Sequence, residues 1–313
     1  MGLPRSRFST LLRNPVMSTS SQEYRSLALD DDGPLPAASS LHRVLRLQRG
    51  TFAEADDEVI EEVPVALVYN GISHAVMLAS PCDLEDFAVG FSLSEGIVAQ
   101  RREIYDLELK NTCDGIAIEM DIAPARFAAL KERRRNLAGR TGCGLCGVDS
   151  LANLTRMPAA PLATPAWQLS PAAIAEGLRQ LPHWQALREQ TGAAHGAAWA
   201  DLDGNIQFLR EDVGRHNALD KLVGALARQT TATASGFALV TSRASYEMVQ
   251  KAATAGISAL VAVSAPTGLA IRQAEAAGIL LVGFARAQQL VAYSGIDRLA
   301  QSDLAPAGPR SLM

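Results

Sequence analysis

The stretch Gly236-Phe237-Ala238-Leu239-Val240-Thr241-Ser242-Arg243-Ala244-Ser245 carries an apolar run of strand length straight into hydroxyls and an arginine. The same arrangement returns at Ala259 to Thr267 and again at Ile279 to Gln289. Segments of helical spacing fill the intervals, from about Ser245 to Ala255 and from Gly268 to Ala277. Strands apolar on both faces, alternating with helices, predict a layered α/β unit whose central strands are buried and largely parallel. In open sheets of this kind ligands gather beyond the carboxyl ends of the strands, where helix N-termini present free N–H groups and a positive dipole end. The expected ligand edge therefore contains Ser242 and Arg243, then Ser264, then Phe284, Ala285, Arg286, Ala287, Gln288 and Gln289. Arginine suits phosphate there, because it donates paired hydrogen bonds to phosphate oxygens. Taken singly, Ser245 and Thr267 also read as helix caps, and Arg243 and Arg286 as surface charges.

Upstream of this unit, strands are expected near Ala194 to Asp201 and Asn205 to Leu209, joined through Asp203-Gly204, and then a helix from about Val213 to Arg228. Arg215 and His216 fall in its first turn, behind an Asp212 that could cap it. Both are candidates to contact an anionic ligand, while packing beneath the sheet is the plainer reading of His216. The first half reads as α+β. Val63 to Ser80 is a hairpin bent at Asn70-Gly71, and Ser80 with Pro81 is placed to start a helix bearing Leu84, Phe87, Ala88 and Phe91 on one face. A second strand pair covers Ile104 to Leu109 and Ile116 to Ile122, and a short helix follows Pro124. The expected division is a tail over 1–42, an α+β unit over 43–137, a Gly-rich connecting segment over 138–168, an α/β unit over 169–300 and a second tail over 301–313.

Composition narrows the classes of function. Across 313 residues Lys and Arg total 29 against 33 Asp and Glu, a net charge of -4 that offers no general basic field for nucleic acid. The longest apolar runs are strand-sized, well short of the ~20 residues a membrane helix needs, so no membrane partner is expected. Four cysteines, Cys82, Cys113, Cys143 and Cys146, are too few for a disulfide-built secreted scaffold, and a reducing cytoplasm is the expected setting.

Cys143 and Cys146 stand three positions apart in Gly142-Cys143-Gly144-Leu145-Cys146-Gly147, which leaves both sulfurs sterically open. Lys131, Arg133, Arg134, Arg135 and Arg140 lie just upstream, and positive charge near a thiol favours the attacking thiolate. Three chemistries fit the spacing: metal binding, dithiol redox exchange and sulfur relay. A zinc site lacks a second close-spaced pair of ligands, and a thioredoxin-like dithiol would follow a strand at the start of a helix.

Several further segments resemble the FdhD family of formate dehydrogenase accessory proteins. They are Tyr69-Asn70-Gly71-Ile72 to Met77, Asp83 to Phe91 with Ser94-Glu95-Gly96, the CxxC segment itself, Glu211 to Lys221, Thr241 to Lys251 and Val263 to Thr267. The resemblance implies a C-terminal domain similar to the cytidine deaminase fold, three layers around a mixed sheet. It implies a sulfurtransferase that takes a persulfide sulfur from a cysteine desulfurase onto Cys143, assisted by Cys146. The sulfur then passes to the bis-molybdopterin guanine dinucleotide cofactor destined for the catalytic subunit of formate dehydrogenase. A homodimer without a metal of its own is implied as well. The family's cofactor loop corresponds to Phe284 to Gln289, usually with Pro-Gly where this chain has Ala287-Gln288. The competing reading is a non-catalytic chaperone for the molybdenum cofactor, with a structural or metal-binding CxxC. A zinc deaminase is disfavoured, since no histidine is followed two residues later by glutamate.

Overall fold

The computed structural model of the chain describes residues 33–138, 161–229 and 235–300. The class is mixed α/β. Strands β1 (Ser39–Gln48) and β2 (Thr51–Ile60) form an antiparallel ribbon on their own. The next strands, β3 (Val63–Tyr69), β4 (Ile72–Ala79), β5 (Ile104–Thr112) and β6 (Gly115–Ile122), make a four-stranded sheet in the order β4-β3-β6-β5. Its buried face carries Val65, Leu67, Tyr69, Ile116, Ile118 and Met120, and α1 (Leu84–Ser94) covers it with Leu84, Phe87, Ala88 and Phe91. The larger aliphatic side chains and phenylalanines among these each contribute about 1.5–3 kcal/mol by leaving water. Helix α2 (Pro124–Ala138) runs for 15 residues, longer than the short helix expected after Pro124.

The second half is built on a six-stranded mixed sheet. It comprises β7 (His195–Ala200), β8 (Ile206–Asp212), β9 (Phe237–Val240), β10 (Ala259–Ala262), β11 (Leu280–Arg286) and β12 (Gln289–Ser294), in the order β12-β11-β10-β9-β7-β8. The three central strands β9, β10 and β11 are parallel, as their apolar runs predict, while β7 and β12 run antiparallel to them. Helices α3 (Pro171–Trp184) and α4 (Ala186–Thr191) precede the sheet in sequence, and α3 packs on one face through Ala173, Ile174 and Leu181 against Phe237, Leu239, Val261 and Val282. Helices α5 (Arg215–Ala227), α6 (Tyr246–Thr254) and α7 (Gly268–Ala277) cover the other through Leu219, Leu222, Met248, Ala252 and Ala274. The alternating side chains of each central strand thus serve two cores, giving three layers.

The two halves meet where α1 crosses α5, backbone against backbone. A Cβ added to Gly90 would lie 1.7 Å from the Asp220 carbonyl oxygen, and one added to Gly224 would lie 1.9 Å from that of Asp86. Only hydrogen fits at either position. Around this crossing Asp86 is held between Arg210 (2.7 Å) and Arg228 (2.9 Å), and Lys251 bonds Asp220, Ser94 and Glu95.

Ser80 does not start α1. The helix begins after a left-handed Asp83, and the Ser80 hydroxyl instead accepts from Val213 N–H at 3.1 Å in the other half of the chain. That tertiary bond outcompetes local capping. Ser170 behaves as a cap should, accepting from Ala173 N–H at 3.0 Å, and Thr267 accepts from Ala270 N–H at 3.3 Å.

Candidate functional site

Strand direction gathers the expected residues on one edge of the six-stranded sheet. Strands β9, β10 and β11 end there, β8 ends there, and β7 and β12 begin there. The loops after the central strands are stitched together: Ala244 bridges Pro266, Thr267 N–H donates to Ala244 O at 3.0 Å, and Phe284 N–H to Ser264 O at 3.1 Å. Ser242 is buried and bonds the Arg243 carbonyl, whereas the Arg243 side chain is exposed.

Phe284 to Gln289 is more strand than loop. Residues 284–286 complete β11, Gln289 opens β12 opposite Arg286, and only Ala287-Gln288 forms the turn. Phe284 takes a positive φ of 51° at an irregularity in the strand pairing and leaves its ring substantially exposed, while Ala285 turns into the core. Arg286 points outward, beside the chain reversal.

Arg215 and His216 stand at the other end of the same edge. Strands β10, β9 and β7 stand between β8 and β11 in the sheet. His216 pairs with Glu247 of α6 at 2.7 Å, which brings the starts of α5 and α6 together. The adjacent His216 imidazole holds the Glu247 carboxyl below its ordinary value. His195, at the start of β7, faces the same cluster, and burial followed by the charges of Arg215 and Arg188 pushes its imidazole below 6.5.

Unlike α7, whose first turn is capped by Thr267, α5 and α6 begin without a side-chain cap, at Gly214 and Ser245. Ser245 therefore lies at the N-cap position without performing the cap. Its buried Oγ and the buried Nε of Arg215 have no hydrogen-bond partner among the described residues. Free N–H groups of two first turns, a guanidinium and a hydroxyl form a donor-rich surface whose chemistry suits an anion with several oxygens.

Sequence reasoning missed the cross-chain supports of this edge. Lys221, in the middle of α5, is fully buried and pairs with Asp212 at 2.7 Å, and the Glu211 carboxylate accepts from Leu187 and Arg188 N–H at the start of α4. The clustered polar residues of Glu211 to Lys221 were the available signal, but their partner Ser80 lies more than 130 positions away. Cys143 and Cys146 lie outside the described residues. Among those described, no group of three or more His, Cys, Asp or Glu could hold a metal, and no helix is long and apolar enough to cross a membrane.

A family model described as the FdhD/NarQ family matches residues 60–300. The sulfur carrier protein FdhD of Cupriavidus necator is 55% identical over 84% of this chain and 91% of its own length. That of Variovorax paradoxus is 56% identical over 86% and 96%, and that of Bordetella petrii 54% over 82% and 92%. Among solved structures, one from Desulfotalea psychrophila described as a formate dehydrogenase accessory protein superposes with a TM-score of 0.65 at 25% identity. The match covers 85% of this chain and all of that one.

Proposed function

The chain belongs to the FdhD/NarQ family, and on that footing we propose that it is a sulfur carrier accessory to formate dehydrogenase. It takes sulfane sulfur from a cysteine desulfurase as a persulfide on Cys143 and delivers it to a bis-molybdopterin guanine dinucleotide bound along the sheet edge. In this reading the cofactor is cargo, and the protein is a cytoplasmic homodimer. The observation that carries the reading is the length and chemistry of the edge. Uncapped α5 and α6 with Arg215 and Ser245 follow β8 and β9, Phe284 and Arg286 close β11 on the same edge, and donors spread over several strand ends suit an elongated, multiply phosphorylated ligand better than a compact one. Arg215 and the first-turn N–H groups would hold phosphate, and the exposed Phe284 ring offers a face on which a purine can stack.

The thiol chemistry follows from charge. A cysteine of pKa ≈ 8.5 is only about 3% thiolate at pH 7, and in this reading positive charge brought to Cys143 from the upstream segment Lys131 to Arg140 would favour the anion that attacks the donor's persulfide. Attack on the outer sulfur breaks the donor's S–S bond, and the donor leaves as a thiolate. Incubation with a cysteine desulfurase and cysteine should add one reductant-labile sulfur to the intact protein by mass spectrometry, and Cys143→Ala should abolish the gain. A wild-type protein that gains no mass would refute the carrier reading.

A further inference from the structure

Resting on the reading of the α5–α6 edge as the ligand site, we infer that Asp212 and Lys221 are positioning residues. They form a buried clamp that ties the N-terminal sheet to the first turn of α5 and so sets where Arg215 and His216 stand. Both side chains are wholly buried, and every polar direction they offer is used. Asp212 accepts from Ser80 N–H at 3.0 Å, Gly214 N–H at 2.7 Å and Asn217 Nδ2 at 3.0 Å, in addition to its pair with Lys221. Lys221 also donates to the carbonyls of Ser80 at 3.0 Å and Glu211 at 3.2 Å. Ser80 Oγ accepts from Val213 N–H, and Asn217 Nδ2 donates onward to Leu78 O at 2.7 Å.

The consequence lies in which N–H groups are consumed. Those of Val213 and Gly214, just before the helix, are turned inward to Ser80 and Asp212. No N-cap side chain bonds those that follow, so the clamp orients the turn without occupying the donors of the first helical turn. An apolar pair of the same volume would fill the space, often at no loss of stability, but could not fix the turn through directional bonds. Asp212 and Lys221 reach the ligand only through Arg215 and His216. The N-terminal half thereby takes part in the site through Leu78 and Ser80, without a side chain of its own among the proposed cofactor contacts.

The test compares wild type with the charge-neutral double variant D212N/K221M, and with Ser80→Ala, which removes only the acceptor of Val213 N–H. The double variant avoids the stranded charge that either single change would bury. Melting temperature, guanosine diphosphate affinity by calorimetry and amide exchange at Val213 and Gly214 are read on the full chain. The double variant should fold with a lowered melting temperature, because the Ser80 and Glu211 carbonyls lose their donor, and at a temperature where it is folded should bind guanosine diphosphate about ten-fold more weakly, the equivalent of one charge-assisted hydrogen bond. Its two amides should exchange faster, and Ser80→Ala should show the same exchange effect at Val213 alone. Wild-type affinity and unchanged exchange in the folded double variant would overturn the inference. If the double variant does not fold, unchanged Val213 exchange in Ser80→Ala overturns it. Absence of guanosine diphosphate binding to wild type would instead refute the ligand reading, leaving amide exchange to decide the clamp.

Discussion

Replacing Gly90 by alanine should be among the most damaging single-methyl additions the protein can suffer. Alanine is favoured over glycine within a helix by about 0.8–1 kcal/mol, so helix propensity alone predicts a gain. At Gly90, however, the new carbon would lie 1.7 Å from the Asp220 carbonyl oxygen and 2.7 Å from Gly224 N, both backbone atoms that no rotamer change can move. A carbon and a carbonyl oxygen need about 3.3 Å, so α1 and α5 would have to part by roughly 1.5 Å. A gap of even 0.5–1 Å forfeits about a quarter to a half of each dispersion contact across the crossing. The expected net loss is at least about 3 kcal/mol, at the upper end for overpacking. Gly177→Ala supplies the control, because that glycine also lies inside a helix but its nearest neighbour is the Phe237 ring edge at 3.4 Å. It should be neutral or stabilising by up to about 1 kcal/mol. Urea unfolding followed by tryptophan fluorescence measures both. Equal midpoints for the two variants would show that the interhelical approach is not tight and would refute the reasoning.

Thr267→Ala should cost about 1 kcal/mol through loss of its cap, whereas Ser245→Ala, whose hydroxyl caps nothing, should leave the denaturation midpoint almost unchanged while weakening guanosine diphosphate binding. Stability should decline as pH falls below about 6.5, because the unfolded His195 takes up a proton that burial and Arg215 resist in the fold; the contribution is full above the ordinary value and lost as pH drops through the lowered one. His195→Gln should flatten that part of the urea midpoint against pH, and an unaltered slope would count against the assignment. Arg286→Ala should reduce guanosine diphosphate affinity by about ten-fold or more without changing the melt, since the side chain is exposed at the β11–β12 turn.

The parts of the fold legible in sequence are those where one short-range pattern decides. Strands β9, β10 and β11 are continuous apolar runs because both of their faces are buried, and α6 and α7 repeat their apolar residues at helical spacing between them. The β1–β2 ribbon escaped notice because neither face is packed as a core: Leu41, Leu45, Leu47 and Phe52 remain exposed among alternating charges. Helix α4, six residues long, and β12, placed beyond a turn that read as part of a ligand loop, carried too little periodicity to be seen. At the candidate site, the residue types and their shared edge were legible from strand order. The absence of a cap at Ser245 and the burial of Lys221 were not, since both depend on geometry set by distant segments.

The paired glycines where α1 meets α5 also bear on how the polypeptide is held together. The crossing, with Asp86 and Lys251 gripping from either side, joins the halves through surfaces complete on each piece. The crossing is thus a source of cohesion between the halves in addition to the peptide that runs between residues 138 and 161. Two separately expressed fragments divided there would recognise one another through a seam already cut to shape.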